Sequence, residues 1–162
     1  VDVILKELEF GRERGRRDSE LTSGLVAANH LGIVSLGEDG WKHFERLVAG
    51  AAAETLGDGE AATIAYALES NGVAVIDEDK ATRICALHHP SLLIASSLDL
   101  FAHTMVCETL SAERLAEAVF LALRDARMRV LPRHYEWVLD LIGAERAALC
   151  PSLPRILRDW GR

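Results

Sequence analysis

The chain has 162 residues, enough for one domain and cramped for two. Its 49% hydrophobic and 27% charged content is globular, which excludes disordered and collagen-like chains. A net charge of −7 argues against a sequence-independent coater of nucleic acid, but not against a nuclease whose acidic site supplies part of that charge.

Residues 1–10 place Val1, Ile4, Leu5 and Leu8 on one helical face. A charged loop follows over 11–17. Asp18 then serves as N-cap for a helix carrying Leu21, Leu25 and Ala28, stopped by Gly32. The apolar run 33–36 predicts a short strand. Asp39 caps the next helix, with Trp41, Phe44, Val48 and Ala51 in one stripe. A helix opening at 56–60 sets Ala61, Ile64, Ala65 and Leu68 on a clean face and ends at Asn71-Gly72. The β-branched run 73–76 ends abruptly in Asp77-Glu78-Asp79-Lys80, the pattern of a buried parallel strand opening into a polar loop. A short helix over 81–87 follows. A second buried strand over 92–95 stops at Ser96-Ser97. Residues 98–108 read as one helix, and Ser111 caps a longer one reaching about Ala126. The run 128–131 predicts a last edge strand. Pro132 starts a helix carrying Tyr135, Val138, Leu139 and Ile142, closed by Gly143. Residues 144–162 read as a C-terminal tail outside a domain spanning 1–143. Apolar strands alternating with helices predict an α/β fold, a three-layer α/β/α sandwich with a mainly parallel sheet.

No apolar run approaches the roughly 20 residues needed to cross a bilayer. Val1 is not followed by a charged-then-apolar leader. Cys85, Cys107 and Cys150 are odd in number and widely spaced, which reads as reduced thiols in a cytoplasmic protein.

Ligands of open parallel sheets bind beyond the carboxyl ends of the strands. Asp77 stands at such an end, and Glu60 stands in the first turn of the preceding helix. Carboxylates facing one pocket repel each other unless a hard divalent cation lies between them. Oxygen ligands suit Mg²⁺ or Mn²⁺, and the lack of nearby His or Cys disfavours zinc. Acids in helix first turns are usually ordinary helix chemistry and strand-end carboxylates are usually solvated, so spacing alone leaves the plain reading ahead.

The stretch LGDGEAATIAYALESNGVAVIDEDKATRICA, residues 56–86, resembles the PIN-domain family, in particular its small prokaryotic members related to toxin–antitoxin nucleases. LLIASSLDLFAHTM resembles the family's next strand, Ser/Thr turn and helix, MRVLPRHYEWVLDLIG its C-terminal strand and helix, and VDVILKELEFGR its early glutamate-bearing helix. The resemblance covers about residues 1–143 and rests on the order of these motifs. It implies metal-site and catalytic roles for Glu7, Glu60 and Asp77, with Glu78 as the second acid of the motif and Asp79 as an alternative ligand. It implies that Ser96 or Ser97 holds the site or a phosphate. The family binds one or two Mg²⁺ or Mn²⁺ ions and hydrolyses RNA. An antitoxin protein and a second copy of the chain are the further partners implied, and a catalytically inactive module binding protein or RNA is the alternative. Family members begin with a strand ending in an Asp. Nothing before Glu7 is that unit, so the expectation is that roughly 40 residues precede Val1 or that the first strand is lacking.

Outside this set, Arg83 and Lys80 are candidate phosphate contacts that could equally pair with Glu78 or Asp79. Arg12, Arg14, Arg16 and Arg17 could track an RNA backbone, but Glu13, Asp18 and Glu20 among them favour a solvated loop. His88-His89 reads as an incidental loop pair. His103 and Cys107 have helical i, i+4 spacing, but in an apolar helix packing is the better reading. Gly57 and Gly59 lack the Lys-Ser/Thr of a P-loop.

Overall fold

A computed structural model describes Ile4, Leu8 and residues 18–159, and gives a mostly helical chain with a small two-stranded parallel sheet. The chain divides into two units, Val1–Ile94 and Ala95–Arg162. Charge divides with it. The first holds 16 Asp and Glu against nine Lys and Arg, and the second holds nine of each.

In the first unit, α1 (Asp18–Ala27), α2 (Glu38–Val48) and α3 (Asp58–Ser70) precede β1 (Val73–Val75), α4 (Asp79–His88) and β2 (Leu93–Ala95). Two of these helices stop at an asparagine in the left-handed region, Asn29 (φ 58°) after α1 and Asn71 (φ 51°) after α3. In each case the next amide reaches back five residues, His30 N–H to the Leu25 carbonyl and Gly72 N–H to that of Ala67. The predicted stop at Asn71-Gly72 is thus found, while α1 ends before Gly32 and leaves Leu21 and Leu25 exposed. The buried face of α3 is mainly alanine, with Ile64 fully buried, and small side chains let neighbouring elements approach closely. Leu47, Leu56, Ala74, Ile76, Ala81, Ile84 and Cys85 complete this core.

α2 starts differently from the prediction. Its N-cap is Gly37, not Asp39, and no side chain of its own caps it. Glu69, near the end of α3, supplies the missing acceptor. Gly37 N–H donates to its Oε2 at 3.0 Å and Gly40 N–H to its Oε1 at 3.2 Å. A carboxylate at a helix N-terminus satisfies orphan amides and faces the positive end of the dipole. A Cβ at Gly40 would lie 2.6 Å from Glu69 Oε2, so glycine is what admits the carboxylate.

In the second unit, α5 (Ser97–Phe101), α6 (Thr104–Thr109) and α7 (Ala112–Arg124) are followed by a 3₁₀ turn (Pro132–His134), α8 (Tyr135–Ala148) and α9 (Arg155–Arg158). Leu98, Leu115, Val119, Leu123, Val138 and Ile142 form its core. Ser111 caps α7 as predicted, accepting from Arg114 N–H. Gly143 (φ 78°, ψ 163°) breaks α8, but the chain resumes helix as far as Ala148. The segment read as a tail contributes Cys150 and Leu153 to the core, and Ser152 Oγ donates to the Leu123 carbonyl at 2.9 Å.

The predicted α/β character and parallel sheet are found in small form, within a mainly helical chain. Among the described residues the sheet has two strands, β1 and β2. Runs 33–36 and 128–131, predicted as strands, are irregular. Each serves instead as an anchor, Leu36 buried while Ile33 is 51% exposed, and Val130 buried in the second core. β1 is also not buried on both sides. Ala74 is inside, whereas Val73 and Val75 are exposed. The predicted helix over 98–108 is two short helices, because His103 leaves the helix (ψ 134°) and caps α6 by accepting Met105 N–H on Nδ1. The three cysteines are free. No helix of the described residues is long and apolar enough to cross a membrane.

Candidate functional site

The chain leaves β1 at Val75, buries Ile76 and turns outward at Asp77. Glu78 is the N-cap of α4, with Asp79 in its first turn. Across from this strand end, α3 opens at Gly57 with Asp58 and Glu60 in its first turn. A cleft of about 380 Å³ joins the two places, lined by Ile4, Gly59, Glu60, Thr63, Val75, Ile76, Asp77 and Glu78. Three of the predicted acids, Glu60, Asp77 and Glu78, therefore share one cleft at the end of β1.

Thr63, which lines the cleft, was not read from the sequence as part of a site, and Gly57 was weighed only as a phosphate loop. Thr63 Oγ1 donates to the Gly59 carbonyl at 2.8 Å, bonding back within the first turn that carries Glu60. Gly57 leaves room for the Glu60 side chain, since a Cβ there would lie 2.7 Å from Glu60 Oε2. The available signal was a glycine three residues before an acid at a helix start.

The charged donors in the cleft are carboxylate oxygens, which suit a hard cation, and no His or Cys in the lining favours zinc. Mg²⁺ is commonly held by one or two carboxylates while keeping several waters. Glu60 and Asp77, one from each side of the cleft, would be the two to hold it here. Among the described residues no three His, Cys, Asp or Glu side chains are grouped closely enough to form a complete metal-binding set. Glu7, the third predicted ligand, lies outside the described residues, as do Arg12, Arg14, Arg16 and Arg17.

The other predicted positions fall elsewhere. Asp79 is exposed at the start of α4 and is not part of the cleft lining. Lys80 Nζ donates to the Ala52 carbonyl at 2.7 Å, which ties α4 to the loop before α3. Arg83 is exposed on α4. Ser96 and Ser97 lie in the second unit. Ser96 is buried and forms a capping box at the start of α5. Its N–H and hydroxyl donate to Asp99 Oδ2 at 2.6 and 2.8 Å, and its oxygen accepts Asp99 N–H. Arg133 also donates to that oxygen, and His134 Nε2 lies 3.0 Å from Oδ1. Burial pushes the Asp99 carboxyl up. The Arg133 guanidinium and the Ser96 amide and hydroxyl outweigh this and hold it well below the usual carboxylate range.

The histidine readings change. His89, predicted to be incidental, packs edge-on against His43 with ring centroids 6.0 Å apart. Burial, then repulsion by His43, His88 and Arg46, lowers its pKa. His103 and Cys107 are both exposed, so core packing does not explain them.

Comparison with family models, curated proteins and solved structures finds no match to this chain.

Proposed function

We propose that this chain is a PIN-like, metal-dependent ribonuclease of the cytoplasm, acting as the toxin of a toxin–antitoxin pair. The observation that supports the reading is the cleft in which Glu60 and Asp77, distant in sequence, meet at the end of β1. When bound, Mg²⁺ or Mn²⁺ would supply an activated water and stabilise charge developing on the phosphodiester. Glu60 and Asp77 hold fixed negative charge at the cleft, and Glu78 extends it toward the first turn of α4. The helix start beneath Glu60 is braced by Thr63, so the carboxylate has a defined origin. A second reading, an inactive module that binds protein or RNA, is favoured by the absence of a complete three-donor set among the described residues.

Melting curves with and without Mn²⁺, paired with cleavage of single-stranded RNA, separate the two. The ribonuclease reading expects Mn²⁺ to raise the melting temperature by relieving carboxylate repulsion, and Asp77→Asn to abolish that rise with the fold intact. Glu60→Gln should cut cleavage steeply at little cost in stability. A full metal response in Asp77→Asn would remove Asp77 from the site. RNA binding without cleavage or metal response would support the inactive module.

A further inference from the structure

The first unit is strongly acidic, yet one arginine and three histidines of it lie together. The end of α2, the loop after it and the end of α4 enclose a hollow of about 310 Å³. Arg46, His88 and His89 line it above buried Leu47 and Ile84, and Glu54 is the one carboxylate in the lining. His43 meets His89 edge to face behind this wall, and its Nδ1 is buried without a hydrogen-bond partner among the described residues. Among those residues no carboxylate lies within 4.0 Å of the charged atoms of Arg46, His88 or His89.

Helix ends explain part of this. A last-turn cation is favoured by the negative end of the dipole, which accounts for Arg46 on α2 and His88 on α4 taken singly. It does not account for four basic groups set against one another with acids plentiful nearby. Three of those acids are committed elsewhere. On the flank of α2, His43 and Arg46 also border a hollow containing Asp39, Lys42 and Glu69. There Asp39 and Glu38 pair with Lys42, and Glu69 holds the start of α2. The cluster does not suit a cation, because a guanidinium stands beside the imidazoles and no three-donor metal set is present among the described residues.

We infer that this hollow is a subsite for a phosphate group, with Arg46 as the bidentate donor and His88 and His89 as further N–H donors. Guanidinium geometry matches two phosphate oxygens, and each imidazole N–H adds a hydrogen bond. The phosphate belongs either to an RNA backbone or to a free phosphorylated small molecule. The inference does not rest on the acidic cleft, since binding here needs neither metal nor cleavage.

The test is a titration of the full chain with inorganic phosphate in metal-free buffer, at constant ionic strength, followed by the imidazole resonances. Saturable binding is expected, with the His88 and His89 resonances moving together as phosphate fills the hollow. Arg46→Gln should weaken it about tenfold or more, and Glu54→Gln should strengthen it. Both positions are exposed, and a melting curve checks that each variant folds. Parallel titration with a short single-stranded RNA identifies the source. Loss of RNA affinity in Arg46→Gln assigns the site to the RNA backbone, and unchanged RNA affinity with lost phosphate binding assigns it to a small molecule. No saturable phosphate response, or one indifferent to Arg46→Gln, overturns the inference.

Discussion

Replacing Glu69 by Ala tests the cross-helix cap at the start of α2. The substitution removes two amide–carboxylate hydrogen bonds, from Gly37 at 3.0 Å and Gly40 at 3.2 Å. A hydrogen bond to a charged group contributes about 1.5–3 kcal/mol when shielded. Gly37 is exposed and the Gly40 bond is part-buried, so water competes and the pair falls below that range, about 2 kcal/mol in all, the upper scale of a helix cap. That loss should lower the protection of α2 amides from hydrogen exchange about 30-fold. A double-mutant cycle sharpens the argument. Gly40→Ala alone forces the Glu69 carboxylate aside, because the new Cβ would lie 2.6 Å from Oε2. The same substitution in the Glu69→Ala background is freed of the carboxylate, and Leu36 Cδ2 at 3.1 Å is a contact common to both arms. Alanine's helix propensity, worth about 1 kcal/mol over glycine, then counts in its favour. The cycle should therefore show a coupling of about 1–2 kcal/mol. Additivity within about 0.3 kcal/mol, with unchanged exchange at Gly37 and Gly40, would refute the cap.

Three further outcomes follow from the second unit. Leu153→Ala should cost about 2–5 kcal/mol, read as a shift in the urea midpoint, because Leu153 is only 2% exposed within the core. Gly143→Ala should cost about 1–3 kcal/mol in the same assay, since φ 78° with ψ 163° is a region open almost only to glycine. Asp99 makes this unit acid-sensitive. Its folded pKa is depressed, so its contribution is present above the unfolded value of about 3.9 and is lost as pH falls toward the folded value. Asp99→Asn should flatten the acid limb of stability against pH while lowering stability at neutral pH, measured by denaturation at a series of pH values.

The sequence revealed those elements whose signals are local. The alanine face of α3, the Asn71 stop and the Ser111 cap each lie within one turn of helix, so periodicity and capping chemistry suffice to find them. The acidic cleft was legible for the same reason: Asp77 follows an apolar run and Glu60 opens a helix. Features needing a distant partner were not legible. Residues 33–36 and 128–131 have strand-like side chains, but a strand exists only with a ladder, and none is present for them among the described residues. Glu69 as the cap of α2 lies 32 residues from Gly37, with no pattern joining them. The break at His103 carries no Gly or Pro, because an imidazole acceptor does the capping. The packing of His89 on His43 likewise required the fold.

The division of charge between the units has a colloidal consequence. All of the chain's net charge belongs to Val1–Ile94, while Ala95–Arg162 is balanced at neutral pH. A balanced surface lacks the mutual repulsion that keeps like particles dispersed. The second unit also exposes Leu100, Met105, Leu149 and Ile156. Cut free by a protease, it would be poorly soluble near neutrality, where the acidic first unit would stay dispersed.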